Sequence, residues 1–356
     1  MKDALAWHRA HYPLMQPEDV VKLAFQGLMG NGHLLADEET VAKRISTEEE
    51  ALSPSMALPL TEPLSDRYVR LNLARAMAEG INPVWIARLM CMPVENASQH
   101  SRAEVIAFLH SLTAAESGCN TAALTTAAAS VGNACWLPSH SAAYRAAYHP
   151  AYRVLHQEAA ALLPLLAAIH KECEQKPRIL IAIDGPCAGG KTTLAAHLSY
   201  VLGNAPVVHM DDFYTPHGQK TPERLAQPGG NADVERFCAE VLTPLLRSGH
   251  TAYRPYSCAQ DCLLAPIDVP TAPVTIIEGA YCLHPGTGRP YDVQAFLPVD
   301  AQTQQTRILR RNGEAGWENF RTRWIPLEKA YFSAFQLPDD RCLVLSQNGQ
   351  QFSCPA

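Results

Sequence analysis

Apolar positions along this chain keep two different periods. Up to about residue 174 they recur at three- and four-residue steps, the spacing that lines one face of a helix. This holds in Val20 to Met29, Tyr68 to Met77, Pro83 to Met90, Ala103 to Leu112 and Tyr152 to Ile169. Beyond it, short β-branched runs alternate with helical stretches. Strands are expected at Arg178–Ile183, Pro206–Met210, Val274–Ile277, Ala295–Val299 and Cys342–Leu345, and helices from Lys191, Asp233, Gln302 and Trp317. Such alternation predicts a mostly parallel sheet covered on both faces, with ligands at the carboxyl ends of its strands. Between the two patterns lies the polar segment Lys171–Pro177, whose proline stops a helix. The expectation is an all-α domain over 1–174 followed by an α/β domain over 175–356; at 356 residues the chain exceeds what one core usually fills.

Composition narrows the partners. The chain is 47% hydrophobic and 18% charged with a formal charge of −6, which argues against nucleic acid or an anionic membrane as the main partner. The start, Met1-Lys2-Asp3-Ala4, lacks the regions of a signal peptide, and the longest apolar run, Ala159 to Ile169, is too short to span a bilayer and contains Pro164. A cytoplasmic location follows as an expectation; a homo-oligomeric state stays open. The 11 cysteines are odd in number and form no C-x-x-C pair, as expected of reduced thiols.

Four segments carry the candidate chemistry. Gly185-Pro186-Cys187-Ala188-Gly189-Gly190-Lys191-Thr192 spells G-x-x-x-x-G-K-[ST] after the apolar run Ile179–Ile183 and before a helix that opens with Thr193. Backbone amides of such a loop curl round a polyphosphate, Lys191 adds positive charge, and Thr192 is placed to ligate Mg²⁺. Cys187 makes the loop oxidation-sensitive only if the helix N-terminus lowers its pKa. After the second expected strand comes His209-Met210-Asp211-Asp212-Phe213-Tyr214. A carboxylate here would orient an acceptor alcohol and take its proton; Asp211 is the first choice for that base and Asp212 the second, with turn or helix capping as the plainer role. Glu278 ends the strand Val274–Ile277 and fits a Mg²⁺-holding carboxylate. Finally, Arg307, Arg310 and Arg311 fall at helical steps, where guanidinium forks reach phosphate oxygens from a mobile lid.

Together these segments resemble, in order and spacing, the uridine kinase, phosphoribulokinase and nicotinamide riboside kinase group of P-loop kinases, over about Arg178 to Tyr331. Gly185–Thr193 resembles their phosphate loop, Asp211–Tyr214 their D-[SD]-F-[YF] segment, Val274–Gly279 their strand ending in Glu-Gly, and Arg307–Arg311 their R-x-x-R-R lid. Trp324-Ile325-Pro326-Leu327-Glu328-Lys329-Ala330-Tyr331 is similar to the riboside kinases' W-P-x-x-x-K-Y helix. The resemblance implies an α/β P-loop fold, ATP and Mg²⁺ as cofactors, and transfer of a phosphoryl group to an alcohol of a small molecule. Lys191, Arg307 and Arg311 would act with Asp211, and Arg310 with the loop on the nucleotide. On the acceptor side it implies Asp212, Tyr214, Asp233, Arg254 and Tyr256, although Gly229-Gly230-Asn231 occupies the region of the group's ribose-binding carboxylate and Asp233 is placed to cap a helix. Nucleoside, sugar, sugar phosphate and vitamin-like alcohol all stay open. A nucleotide-dependent switch is the rival; the chain has neither an N-K-x-D nor a D-x-x-G motif of GTPases.

The first half resembles a helical domain of bacterial proteins of unassigned function, through Gln16–Leu23 and Gly30–Leu35. Its densest polar stretch, His140 to Arg153, sets His, Tyr and Arg at helical steps. These would either line an anion pocket clamped by Arg145 and Arg153 or serve as a packing surface.

Overall fold

The computed structural model describes residues 1–30, 37–93, 100–131 and 139–345; His33 and the Asn31–Leu35 part of the second resemblance lie outside them. The chain forms two compact units, Met1–Leu163 and Pro164–Ala356.

Helices dominate the first unit. Pro17–Met29, Arg102–Ser111 and Thr121–Ser130 pack through Val20, Leu23, Ala24, Val105, Leu109 and Leu124. Their starts are written in the sequence: Ser101 and Glu104 form a reciprocal capping box, and Asn120 accepts from Ala122 N. The unit also contains an antiparallel sheet ordered Thr61–Pro63, Tyr68–Asn72, Tyr152–His156, which helical spacing alone did not reveal. Two stretches expected to be wholly helical begin as strands. Asn72 ends the first by capping Leu73–Ala78, and His156 ends the second by capping Gln157–Ala160. A five-residue strand leading into a helix blends into its apolar period.

In the second unit a five-stranded sheet runs Cys342–Val344, Val293–Phe296, Ile179–Asp184, Val274–Glu278, Val207–His209, all parallel. The strand bearing the phosphate loop is central and buried along its whole length, the environment its unbroken apolar run requires. The fourth expected strand ends at Phe296 rather than 299, because Pro298 cannot donate to a ladder. Helix Lys191–Val201 follows the loop, and Ala301–Asn319 follows the fourth strand. The latter breaks at Gly313, whose φ of 68° leaves the helical region. A π-turn over Phe320–Trp324 then leads into helix Ile325–Ala334. Register sets Glu278 beside Ile183 and His209, so the loop, the His209–Tyr214 segment and Glu278 share one sheet edge.

Candidate functional site

The loop is built by glycine where nothing larger fits. At Gly185 φ is 148°, and a Cβ there would lie 2.4 Å from the Leu297 carbonyl oxygen. Lys191 closes the curl from within: its Nζ donates to Gly185 O at 2.9 Å and Pro186 O at 3.0 Å, and Gly189 N donates to Pro186 O. Ala188 takes a left-handed φ of 56° at the tip. Thr192 and Thr193 are exposed at the start of the following helix, where amides and helix dipole together favour an anion.

Glu278 is buried beside this loop. Its Oε1 accepts from Thr192 Oγ1 at 3.1 Å and from His209 Nδ1 at 2.6 Å. The basic partner that a buried carboxylate calls for is thus His209, whose pKa the Glu278 hydrogen bond raises. Asp211 lies on the short 3₁₀ turn Met210–Phe213. The residue is exposed by surface area, yet its carboxyl is crowded by protein, and burial followed by Glu278 pushes its pKa up against the pull of Lys191 and Tyr214. Tyr214 Oη donates to Asp211 Oδ1 at 3.1 Å, and the Tyr214 ring stacks with Trp324, 6.3 Å between centroids.

Helices Ala301–Asn319 and Ile325–Ala334, the two legs of the expected lid, both reach the loop. Arg307 Nη1 donates to Ala188 O at 3.1 Å, and Gln304 Nε2 donates to Cys187 O at 3.0 Å. From the returning helix, Glu328 Oε2 accepts from Cys187 N at 2.9 Å, and Tyr331 Oη donates to Asp184 Oδ2 at 2.8 Å. Arg311 lies over Phe320, and Arg310 is exposed without a hydrogen bond to the loop among the described residues. Burial and then Glu328 raise the Cys187 thiol, so the condition for an oxidation-prone, low-pKa cysteine is not met.

A central strand carrying the phosphate loop, with its neighbour ending in Glu278 and the next in Asp211, decides the fold. The second unit has the α/β P-loop fold. No protein-family model matches the chain. Among solved structures it is similar to a protein assigned as a fructose transport system kinase from Silicibacter, at 24% identity and a TM-score of 0.41 over 49% of this chain and 94% of that one. It is also similar to a protein assigned as a uridine kinase from Bacillus stearothermophilus, at 20% identity and a TM-score of 0.32 over 45% and 94%. A third is D-glycerate 3-kinase from Cryptococcus neoformans, at 14% identity and a TM-score of 0.38 over 55% and 96%. All three TM-scores lie below 0.5, so the fold rests on the strand order and the phosphate loop and not on these likenesses.

The expected acceptor residues are largely engaged elsewhere. Asp212 Oδ2 accepts from Tyr253 Oη at 2.8 Å, and Asp233 caps Val234–Phe237 by accepting from Arg236 N at 3.1 Å. Arg254 donates to the Leu263 and Leu264 carbonyls, each at 2.7 Å. Tyr256 donates to Asp261 and accepts from His217 N at 3.1 Å. Among these residues, Tyr214 is the one whose described hydrogen bond goes to Asp211. Sequence reasoning passed over Asp184, Gln304, Glu328 and His209. The available signals were a carboxylate ending an apolar strand just before Gly185, and a Glu on the face that Trp324, Leu327 and Tyr331 give their helix.

Proposed function

We propose that the second unit is an ATP- and Mg²⁺-dependent phosphotransferase acting on an alcohol group of a small molecule. One observation supports it most: Lys191, Thr192, Glu278 and Asp211 gather at one sheet edge, with Thr192 and Glu278 in hydrogen-bond contact. A hydroxyl beside a buried carboxylate is a hard oxygen pair that fits Mg²⁺. Thr192 and Glu278 would hold the ion, which when bound neutralises charge on the phosphates. Loop amides and Lys191 bind the β- and γ-phosphates, and Lys191 gives up its loop carbonyls to do so. Asp211 orients the acceptor hydroxyl and accepts its proton, a task its raised pKa suits. Arg307 and Arg311 approach from the lid and stabilise charge on the transferring group.

Asp211→Asn tests the assignment. Nucleotide binding should stay within about two-fold while ADP release with an added alcohol falls by about 10²-fold or more, the usual worth of a positioned base. A screen over nucleosides, pentoses, sugar phosphates and pantothenate-like alcohols supplies the acceptor. If Asp211→Asn leaves ADP release unchanged and no acceptor gains phosphate, the kinase proposal fails.

A further inference from the structure

One carboxylate at the root of the phosphate loop takes three hydrogen bonds while wholly out of water. Asp184 ends the central strand with 0% exposure. Its Oδ1 accepts from Gly185 N at 2.6 Å, and its Oδ2 accepts from Leu283 N at 3.0 Å and from Tyr331 Oη at 2.8 Å. The donors come from three places: the first residue of the loop, the segment that leaves Glu278, and helix Ile325–Ala334 returning from the expected lid. Burial pushes the Asp184 pKa up, and Leu283, Tyr331, Lys191 and Gly185 pull it back. An ion taken out of water costs several kcal/mol, and an apolar side chain would end the strand without that cost. Position 184 is better explained by what it holds. Gly185 is gripped from both sides, since its N–H faces Asp184 while its carbonyl accepts from Lys191 Nζ at 2.9 Å. Glu328, three residues before Tyr331 on the same helix face, takes Cys187 N at 2.9 Å. The returning helix thus reaches the loop at two points, directly at Cys187 and through Asp184 at Gly185.

We propose that Asp184 is a positioning residue for nucleotide binding, which sets the Gly185 peptide and, through Tyr331, makes that setting depend on the returning helix. The proposal rests on the nucleotide reading of the loop given above and names a residue that reading does not use. Gly185 N–H is spent on Asp184, so the amides that curl round a phosphate are those further along the loop, and Asp184 fixes the turn from which they start. Without the Tyr331 hydroxyl, Oδ2 keeps one donor of two. The carboxylate then turns towards the donors that remain, and the bond at Oδ1 shifts with it. That shift falls on a glycine whose place against the Leu297 carbonyl leaves no slack. Tyr331 is itself 0% exposed and packed against Tyr281, Phe332 and Phe335, so losing its oxygen leaves the ring where it is.

The test uses the full chain with ADP as the probe, titrated by calorimetry, and thermal melts to report folding. Tyr331→Phe should weaken ADP about ten-fold, the worth of one hydrogen bond to a charged group. Asp184→Asn turns an NH₂ towards at least one of the three donors and should weaken ADP about 10–100-fold. Because Tyr331 acts through Asp184, the double variant should bind ADP within about two-fold of Asp184→Asn alone. A role confined to packing would instead lower the melt of Tyr331→Phe and leave ADP affinity alone. A further measurement needs no variant: followed by NMR, the wild-type Gly185 amide should exchange as slowly without ADP as with it. Wild-type ADP affinity in folded Tyr331→Phe, additive losses in the double variant, or a Gly185 amide protected only when ADP is bound overturns the proposal. A wild-type chain that binds no ADP sinks the nucleotide reading, and this proposal with it.

Discussion

Replacing Glu328 by alanine removes the acceptor that holds the Cys187 amide at 2.9 Å, and with it one of the two lid-leg contacts on that residue. A part-buried N–H left without a partner costs about 1–3 kcal/mol, and a loss of that size falling on the loop's binding conformation weakens nucleotide affinity about 5–150-fold. Glu328→Gln separates the acceptor from the charge. It keeps an oxygen for the amide while removing a carboxylate that faces the loop expected to take anionic phosphates. Burial raises the Glu328 pKa above its ordinary value. For an acid this means that the ionised form opposes folding: the contribution is absent well below the unfolded pKa and grows as pH climbs towards the folded one. The glutamine variant should therefore melt higher than wild type at neutral pH, by a margin that shrinks as pH falls towards about 4, and should bind ADP at least as well. Calorimetric ADP titration and thermal melts across pH read both effects. Alanine binding ADP like wild type, or glutamine and alanine behaving alike, would show that the loop does not depend on this contact.

Gly185→Ala sets a methyl 2.4 Å from the Leu297 carbonyl oxygen at a φ of 148°, so the melt should fall by an amount equivalent to about 2–4 kcal/mol and ADP binding should be lost; an unchanged Tm refutes it. Tyr214→Phe removes the donor that stabilises the Asp211 carboxylate. The acid limb of the kcat profile should move higher than in the wild type, and a limb that stays put or moves down excludes Asp211 as the titrating base. Gly313→Ala meets no neighbour within 4 Å, so it should cost only the strain of placing a side chain at a φ of 68° and ψ of −175°, a region nearly exclusive to glycine, about 1–3 kcal/mol, while shifting kcat and KM together if the break at Gly313 is a hinge. Unchanged kinetics would make Gly313 a simple kink.

The sheet edge was legible because its signals are local. An unbroken apolar run, a glycine where backbone meets backbone, and a carboxylate ending a strand each report their own surroundings, and the parallel register carries them to one edge. What stayed hidden was made by partners distant in sequence. Glu328 is an ordinary helical glutamate until it meets the Cys187 amide 141 positions away. His140 belongs to a polar stretch open to two readings until it meets Asp19, 121 positions away. Arg145 and Arg153 stand out as clamps in sequence, yet Arg145 is exposed and Arg153 pairs with Glu48 at 2.7 Å. A charge repeated along a helix is visible in sequence; which face that helix buries is set by packing.

Bonds already made within the fold also constrain the acceptor site. Of the five residues that the kinase resemblance implies for substrate, Asp212, Asp233, Arg254 and Tyr256 hold the frame: a phenol, a helix start, a hairpin and a loop amide. A residue already satisfied within the fold must break that bond before it serves a ligand, at about 0.5–1.5 kcal/mol for each neutral hydrogen bond and more for a charged one. Recognition should therefore fall to groups whose bonds already point at the reacting position. Tyr214 is one, bonded to Asp211 and stacked against Trp324 from the lid end. An acceptor seated there would meet two aromatic rings and one carboxylate, and closing the lid over it would move Trp324 with the returning helix that carries Glu328 to the phosphate loop. Acceptor binding and loop geometry would then be coupled through one helix, and Trp324→Ala should raise the KM for the alcohol while leaving ADP affinity within about two-fold. A matching loss of ADP affinity would place Trp324 in the loop's support instead of the acceptor's wall.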